Sequence, residues 1–206
     1  PAEKMPYVSL DITDKAAVDK VISEIRPDAV IHCAAWTAVD AAEAPENREK
    51  VMAVNVKGTE NIAKACKAID AKMLYISTDY VFSGQGVEPW KADCKDFAPL
   101  NIYGESKLYG EKAVVEALKK YFIVRIAWVF GLNGSNFIKT MLNVGKKFPE
   151  LRVVNDQIGT PTYAGDLAAA ITYIIDSNQL DKCGIYHYSN EGVCSWYDFA
   201  CEIARL

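Results

Sequence analysis

The sequence predicts an α/β protein built on a doubly wound parallel sheet, and three observations carry that prediction. Short apolar runs at residues 7–10, 29–33, 72–76 and 122–127 alternate with segments of helical periodicity. Strand–helix alternation of this kind requires parallel strands joined by right-handed crossovers. Two of the runs end in small or hydroxyl residues, Ala34-Ala35 and Ser77-Thr78, at the carboxyl ends where open sheets hold their ligands. Beyond Gly131 the elements become shorter and less regular, which predicts a smaller α+β portion after a sheet domain over residues 1–131.

Each element has its own signal. Tyr7–Leu10 reads as a strand ending at Asp11, and Asp14 as the cap of a helix over 15–26 with Val18, Val21, Ile22 and Ile25 on its apolar stripe. Residues 29–33 form a buried-type strand, so His32 reads as a core histidine rather than a ligand or base. Trp36–Pro45 is a loop whose acids, Asp40 and Glu43, could cap, be solvated or face a substrate. Arg48–Ile69 is a long helix with Val51, Val54, Ile62, Ala65 and Ile69 inward. Asn55 lies among these apolar residues and must satisfy its amide by bracing backbone or holding a water. Gly58 costs about 1 kcal/mol relative to alanine in a helix, which marks the close approach of another element. After the strand at 72–76 and an irregular segment come a helix over 103–121 and a strand over 122–127 that continues through Trp128–Gly131. A helix over 136–147, a strand over 151–155, a polar turn over 156–163, a helix over 165–176 and a strand over 185–188 follow. Ser195 then caps a helix still running at Leu206.

Composition narrows the function. Half of the 206 residues are apolar, ample for a core, and the net charge of −4 leaves no basic footprint for nucleic acid. The six cysteines, 33, 66, 94, 183, 194 and 201, form no C-x-x-C and sit mostly in apolar patterns. They read as reduced core residues of a cytoplasmic protein. No stretch is long enough to span a bilayer, and Pro1-Ala-Glu-Lys does not begin a signal peptide. Asp40, Glu43 and Asp79 lack the spacing of a structural zinc site, which leaves only a weak Mg²⁺ site at an interface open.

The chemistry concentrates between Tyr75 and Lys107. Tyr103 precedes Lys107 by four residues, one helical turn, so phenol and ammonium share a face. A phenol with a pKa of about 10 is a poor acid at neutral pH. A neighbouring cation lowers that value, and a nearby hydroxyl, Thr78 in preference to Ser77, can polarise the same carbonyl. This is an arrangement for carbonyl reduction. Tyr-x-x-x-Lys alone is a common pattern, equally compatible with a core tyrosine and a solvated lysine. The order of strand, hydroxyls, loop and then the pair opening a helix is what favours chemistry.

A set of longer motifs runs through the chain in a fixed order. These are L-D-I-T-D (Leu10–Asp14), A-A-W-T-A-V-D-A-A-E (Ala34–Glu43), V-N-V-K-G-T (Val54–Thr59), Y-I-S-T-D-Y-V-F (Tyr75–Phe82), Y-G-E-S-K (Tyr103–Lys107), R-I-A-W-V-F-G (Arg125–Gly131) and D-Q-I-G-T-P-T (Asp156–Thr162). On them the chain resembles the extended short-chain dehydrogenase/reductases, and within these the dTDP-4-dehydrorhamnose reductase family. The resemblance implies a Rossmann-like domain over 1–131 without its N-terminal βαβ unit, then substrate-lobe segments over 132–206 mixed with a returning helix. It implies NADPH or NADH as cofactor, a nucleotide-sugar substrate, and reduction of dTDP-4-dehydro-L-rhamnose to dTDP-L-rhamnose; a homodimer stays open.

The resemblance also implies residue roles. Tyr103 would protonate the sugar C4 oxygen, Lys107 would hold the cofactor ribose and lower the phenol's pKa, and Thr78 would hydrogen-bond the keto oxygen. Asp11 and Ile12 would flank the adenine, and Ala34, Ala35, Thr37 and Asn55 would serve the cofactor channel. Val39, Asp40, Asp79 and Tyr80 would meet the substrate, Trp128 would cover the sugar face, and Gln157 and the Gly159–Thr162 turn would approach the nucleotide or sugar. A glycine-rich G-x-x-G-x-x-G turn, the usual pyrophosphate cradle, is absent from these residues. The expectation is therefore a piece of a longer protein, with the choice between NAD and NADP unreadable. Two rivals stay open: a non-catalytic binding or regulatory subunit on the same scaffold, and a sugar-nucleotide epimerase or dehydratase. The dehydratase is disfavoured because Tyr80, not a second carboxylate, follows Thr78-Asp79.

Overall fold

A computed structural model describes residues 6–177 and 182–206. The chain divides into two compact units, the first holding residues up to Ile123 and again 182–185, the second holding residues 124–177 and Tyr186–Leu206.

In the first unit, α1 (Lys15–Ile25) is capped by Asp14, whose side chain accepts from Ala17 N at 3.1 Å. It ends at Arg26, which turns left-handed (φ 48°) immediately before Pro27. β1 (Ala29–His32) leads into a short helix, α2 (Val39–Ala42), where sequence predicted only a loop, and then into α3 (Pro45–Met52). The long helix expected over 48–69 is interrupted: Ala53–Gly58 is a π-helical segment, and α4 (Thr59–Ala68) resumes the ordinary ladder. A π segment widens the helix by one residue per turn and often marks a functional site. Gly58 closes it, and a Cβ there would lie 2.6 Å from Ile12 Cδ1, the close approach that the glycine foretold.

β2 (Lys72–Thr78), the α5 helix (Ile102–Ala117) and β3 (Tyr121–Ile126) complete the central βαβ crossover, and a four-stranded sheet has the order β1-β2-β3-β7, with β7 spanning Gly184–Tyr188. β1 and β2 are parallel, Ala29 opposite Lys72 and His32 opposite Tyr75. The α/β class is as expected. The strand expected at 7–10 is not formed: Tyr7 and Val8 are exposed and nothing among the described residues pairs with them. A strand exists through its partner's ladder, and an apolar run without one stays irregular. The main core packs Val18, Ile22, Ile62, Cys66, Met73 and Ile123 between helices and sheet.

His32 is the core residue the sequence suggested. It is 4 % exposed, its ring stacks on Tyr75 with centroids 5.6 Å apart, and Nε2 lies 3.0 Å from Thr59 Oγ1. Burial, and secondarily the Lys107 charge, pushes its pKa down from 6.5 to about 4. The unfolded chain therefore binds a proton that the folded chain refuses between those values, and stability falls as pH drops from 6.5 toward 4. The full shift is worth about 3 kcal/mol. We expect His32→Gln to lose less stability than the wild type in urea titrations taken from neutral pH to about pH 4; equal losses would remove His32 from the account.

In the second unit, β4 (Val129–Phe130), α6 (Phe137–Gly145), β5 (Ile158–Gly159), β6 (Thr162–Tyr163), α7 (Ala164–Asp176), β8 (Cys194–Ser195) and α8 (Trp196–Arg205) follow. The predicted strand at 151–155 is irregular, and the predicted polar turn at 156–163 instead contributes two short strands. β6 pairs in parallel with β4 and β5 antiparallel with β8. Ser195 caps α8 as predicted, in a reciprocal capping box with Asp198. All six cysteines are free, but only Cys66 is buried and Cys33 and Cys201 are exposed. The expectation of core cysteines therefore holds for Cys66 alone.

Candidate active site

The site is built on the first turn of α5. Asn101 caps it by accepting from Gly104 N at 2.7 Å, and Glu43, one of the two loop acids, accepts from Ile102 N at 2.6 Å. Capping is thus the role Glu43 takes. Two acceptors on the first-turn amides pin the helix end. Gly104 lets it press on the turn after β2, because a Cβ there would sit 2.3 Å from Tyr80 O.

This packing brings Tyr103 against the end of β2. Its ring meets Tyr80 edge-on, centroids 5.9 Å apart, and Thr78 is among the groups that act on its hydroxyl. Thr78 Oγ1 also donates to Asp79 Oδ1 at 3.0 Å and accepts from Tyr80 N at 3.2 Å. Burial pushes the Tyr103 phenol up to about 12; the Thr78 hydroxyl opposes that, while Asp79 and Tyr80 add to it. Asp79 is itself raised by burial, against bonds from Thr78 and the backbone.

Lys107 is 3 % exposed. Its Nζ donates to Ile76 O at 2.7 Å and lies 4.1 Å over the Tyr75 ring. Burial drives its pKa from 10.5 down to about 7, with Glu111 and then Cys33 pulling the other way. Phenol and ammonium thus both reach the last residues of β2. Lys107 is not among the groups that shift the Tyr103 phenol, where burial comes first; its ammonium is drawn to a carbonyl and a ring instead.

Of the remaining expected residues, Ala34 is exposed and Ala35 half-buried just past β1, beside the end of β2. Val39 and Asp40 open α2, and the Asp40 charge reaches Tyr80, raising its pKa behind burial and Asp79. Thr37 is exposed. Asp11 is exposed and accepts from the backbone and hydroxyl of Thr13, bonds that lower its pKa. Asn55 takes the bracing role the sequence offered. It is 1 % exposed, its Oδ1 accepts from Trp36 N at 2.7 Å, and its Nδ2 donates to Trp36 O and Ser106 Oγ. One amide in the π segment therefore ties the loop after β1 to α5.

Trp128, Gln157 and Thr162 lie in the second unit. Trp128 is left-handed (φ 49°), an uncommon state for a bulky residue and a frequent companion of function. One face of its ring stacks on Trp196 at 3.6 Å between centroids. A Cβ on Gly159 would lie 2.7 Å from the same indole. Gln157 is exposed, whereas Thr162 is fully buried, pairs opposite Val129 and has a hydroxyl without a partner among the described residues.

Sequence reasoning missed Tyr75 as the floor under Lys107, Ser106 as an anchor of Asn55, and Glu111, which accepts from Ser77 Oγ at 2.5 Å. The spacing 103, 107, 111 was the available signal for Glu111. The small side chains after β1, and an ammonium with a single oxygen partner out of three donors, fit the ribose and nicotinamide half of a dinucleotide. Among the described residues no group of three or more His, Cys, Asp or Glu could hold a metal ion, and no helix is long and apolar enough to cross a membrane.

Residues 3–206 match the family described as RmlD substrate binding domain. The spore coat polysaccharide biosynthesis protein SpsK of Bacillus subtilis (strain 168) is 41% identical over 194 residues, covering 94% of this chain and 66% of that protein. The dTDP-4-dehydrorhamnose reductase of Escherichia coli (strain K12) is 43% identical over 195 residues, covering 94% and 64%. A crystal structure of dTDP-4-dehydrorhamnose reductase from Bacillus anthracis str. Ames in complex with NADP is 47% identical, with a TM-score of 0.88 over 95% of this chain and 68% of that one. The chain thus spans 66% and 64% of the length of these first two relatives.

Proposed function

We propose, because this chain belongs to the RmlD substrate binding domain family, that the protein reduces the 4-keto group of dTDP-4-dehydro-L-rhamnose to give dTDP-L-rhamnose. The observation that carries the reading is that α5 packs Tyr103 against the turn where β2 ends at Thr78, with Lys107 buried against Ile76 two residues earlier in the strand. Ala34, Ala35, Thr37 and Lys107 would hold a reduced nicotinamide dinucleotide, with Asp11 and Ile12 at its adenine end, and that group supplies the hydride. The relative crystallised with NADP favours the phosphorylated form.

The chain's own residues supply the proton and the placement. Thr78 donates to the keto oxygen and fixes where it sits beside Tyr103. Tyr103 gives its phenolic proton to the C4 oxygen as that oxygen becomes an alkoxide. A phenol at about 12 is fully protonated at neutral pH, as a proton donor must be. An alkoxide is more basic than a phenolate, so the transfer runs downhill even from that raised value. Lys107, as an ammonium, offers its remaining donors to ribose hydroxyls. Val39, Asp40, Asp79 and Tyr80 meet the sugar. Six free cysteines suit a cytoplasmic location, where thiols stay reduced.

The full-length protein should oxidise NADPH on adding dTDP-4-dehydro-L-rhamnose, with turnover on the order of 10 s⁻¹, and dTDP-glucose, which has no ketone, should give none. Tight cofactor binding without turnover would favour the non-catalytic subunit instead.

A further inference from the structure

Glu111 has no part in the reaction as proposed, yet it is 2 % exposed on α5, one turn beyond Lys107 as Lys107 is one turn beyond Tyr103. A carboxylate in such a place is costly unless it is hydrogen-bonded and faces a cation. Ser77 meets the first at the end of β2, and Lys107, one turn back on the same helix, is a cation whose charged form Glu111 favours. Ser77 Oγ donates to Glu111 Oε1 at 2.5 Å, and the preceding residue, Ile76, takes the Lys107 ammonium on its carbonyl at 2.7 Å. Two consecutive residues of one strand thus hold an acid and a base from consecutive turns of one helix.

The groups around Lys107 leave Glu111 as its counter-charge. From β1, His32 faces it as a neutral ring, and Cys33, just past the strand, as a thiol whose pKa lies above its ordinary value. From β2, Tyr75 offers its ring, and its own hydroxyl is held protonated by burial. Asp79 acts on Tyr103. Among the groups that favour the charged form of Lys107, Glu111 comes first.

We propose that Glu111 is a positioning residue that, anchored by Ser77, keeps Lys107 charged and seated at the end of β2. The kinetic consequence rests on the reductase reading, whereas the pairing itself does not. Glu111→Gln keeps the volume and an acceptor for Ser77 but removes the charge. In full-length protein labelled with ¹³C-lysine, with Lys107→Arg to assign the resonance, the Lys107 half-titration should move about one pH unit toward acid in Glu111→Gln. Ser77→Ala, which keeps the charge and loses only the anchor, should move it less.

The alkaline limb of kcat/KM should move with it, giving about a tenfold loss near pH 8 and under about twofold near pH 6. If Glu111→Gln does not fold, Glu111→Asp and Ser77→Ala read the same coupling through the same resonance. An unchanged Lys107 titration, or activity lost uniformly at every pH, overturns the proposal. The titration is readable with or without turnover, so failure of the reductase reading remains distinct from failure of this one.

Discussion

Tyr103→Phe in the full-length protein should lower kcat for the 4-keto sugar nucleotide by about 10³-fold, the usual worth of a well-placed general acid. Only the phenolic oxygen is removed. The ring keeps its edge contact with Tyr80, and Thr78 keeps its bonds to Asp79 and the Tyr80 amide. The stability cost should therefore be small, about 1 kcal/mol or less, and NADPH affinity should stay within about twofold because Lys107 is untouched. Thr78→Val, which leaves the acid and removes its partner, should cost less, about 10²-fold. The pH profile separates the two groups on α5. Tyr103 at about 12 holds its proton throughout the working range, so any change of rate near neutrality belongs to Lys107, at about 7 in the absence of ligand. A Phe variant that turns over like the wild type would remove Tyr103 from the mechanism.

That pair was legible because a four-residue spacing survives any detail of tertiary structure: wherever α5 packs, Tyr103 and Lys107 share a face. The same holds for Asp14 and Ser195, whose caps depend only on neighbours three residues away. What failed depended on partners distant in sequence. Residues 7–10 and 151–155 have strand-like composition but no ladder among the described residues, while Ile158 and Thr162, in a turn-like stretch, form strands because Ser195 and Val129 meet them. No propensity encodes the π segment, where the Asn55 amide clasps Trp36 from nineteen residues away. The direction of Lys107 was likewise invisible. Its spacing pointed to the phenol, but Ile76 O and the Tyr75 ring, thirty-one residues away for the carbonyl, claim the ammonium. Glu111 had the right period, yet a carboxylate on a helix is ordinarily solvated, and only the fold shows it buried.

Gly104→Ala tests whether the close approach of α5 builds the site. In an exposed helix the change would stabilise by about 1 kcal/mol, so a loss has to come from contact. Here the new methyl would lie 2.3 Å from Tyr80 O, 3.0 Å from Tyr80 C and 3.2 Å from Pro99 Cβ. The first two neighbours are backbone and cannot swing aside. Either the Asp79–Val81 turn moves or the first turn of α5 tilts, and the latter is pinned by Asn101 and Glu43. Thr78 leads into one of these elements and Tyr103 lies on the other, so any relief separates the hydroxyl from the phenol. A misplacement of about 1 Å can cost about 10²-fold in rate, and overpacking costs about 1–3 kcal/mol in stability. We expect both losses in Gly104→Ala. Gly145→Ala, whose Cβ would meet nothing within 4 Å, should show neither. Full activity and an unchanged melting temperature in Gly104→Ala would mean that the turn after β2 yields freely, and that the Thr78–Tyr103 pairing does not depend on how closely α5 lies against it.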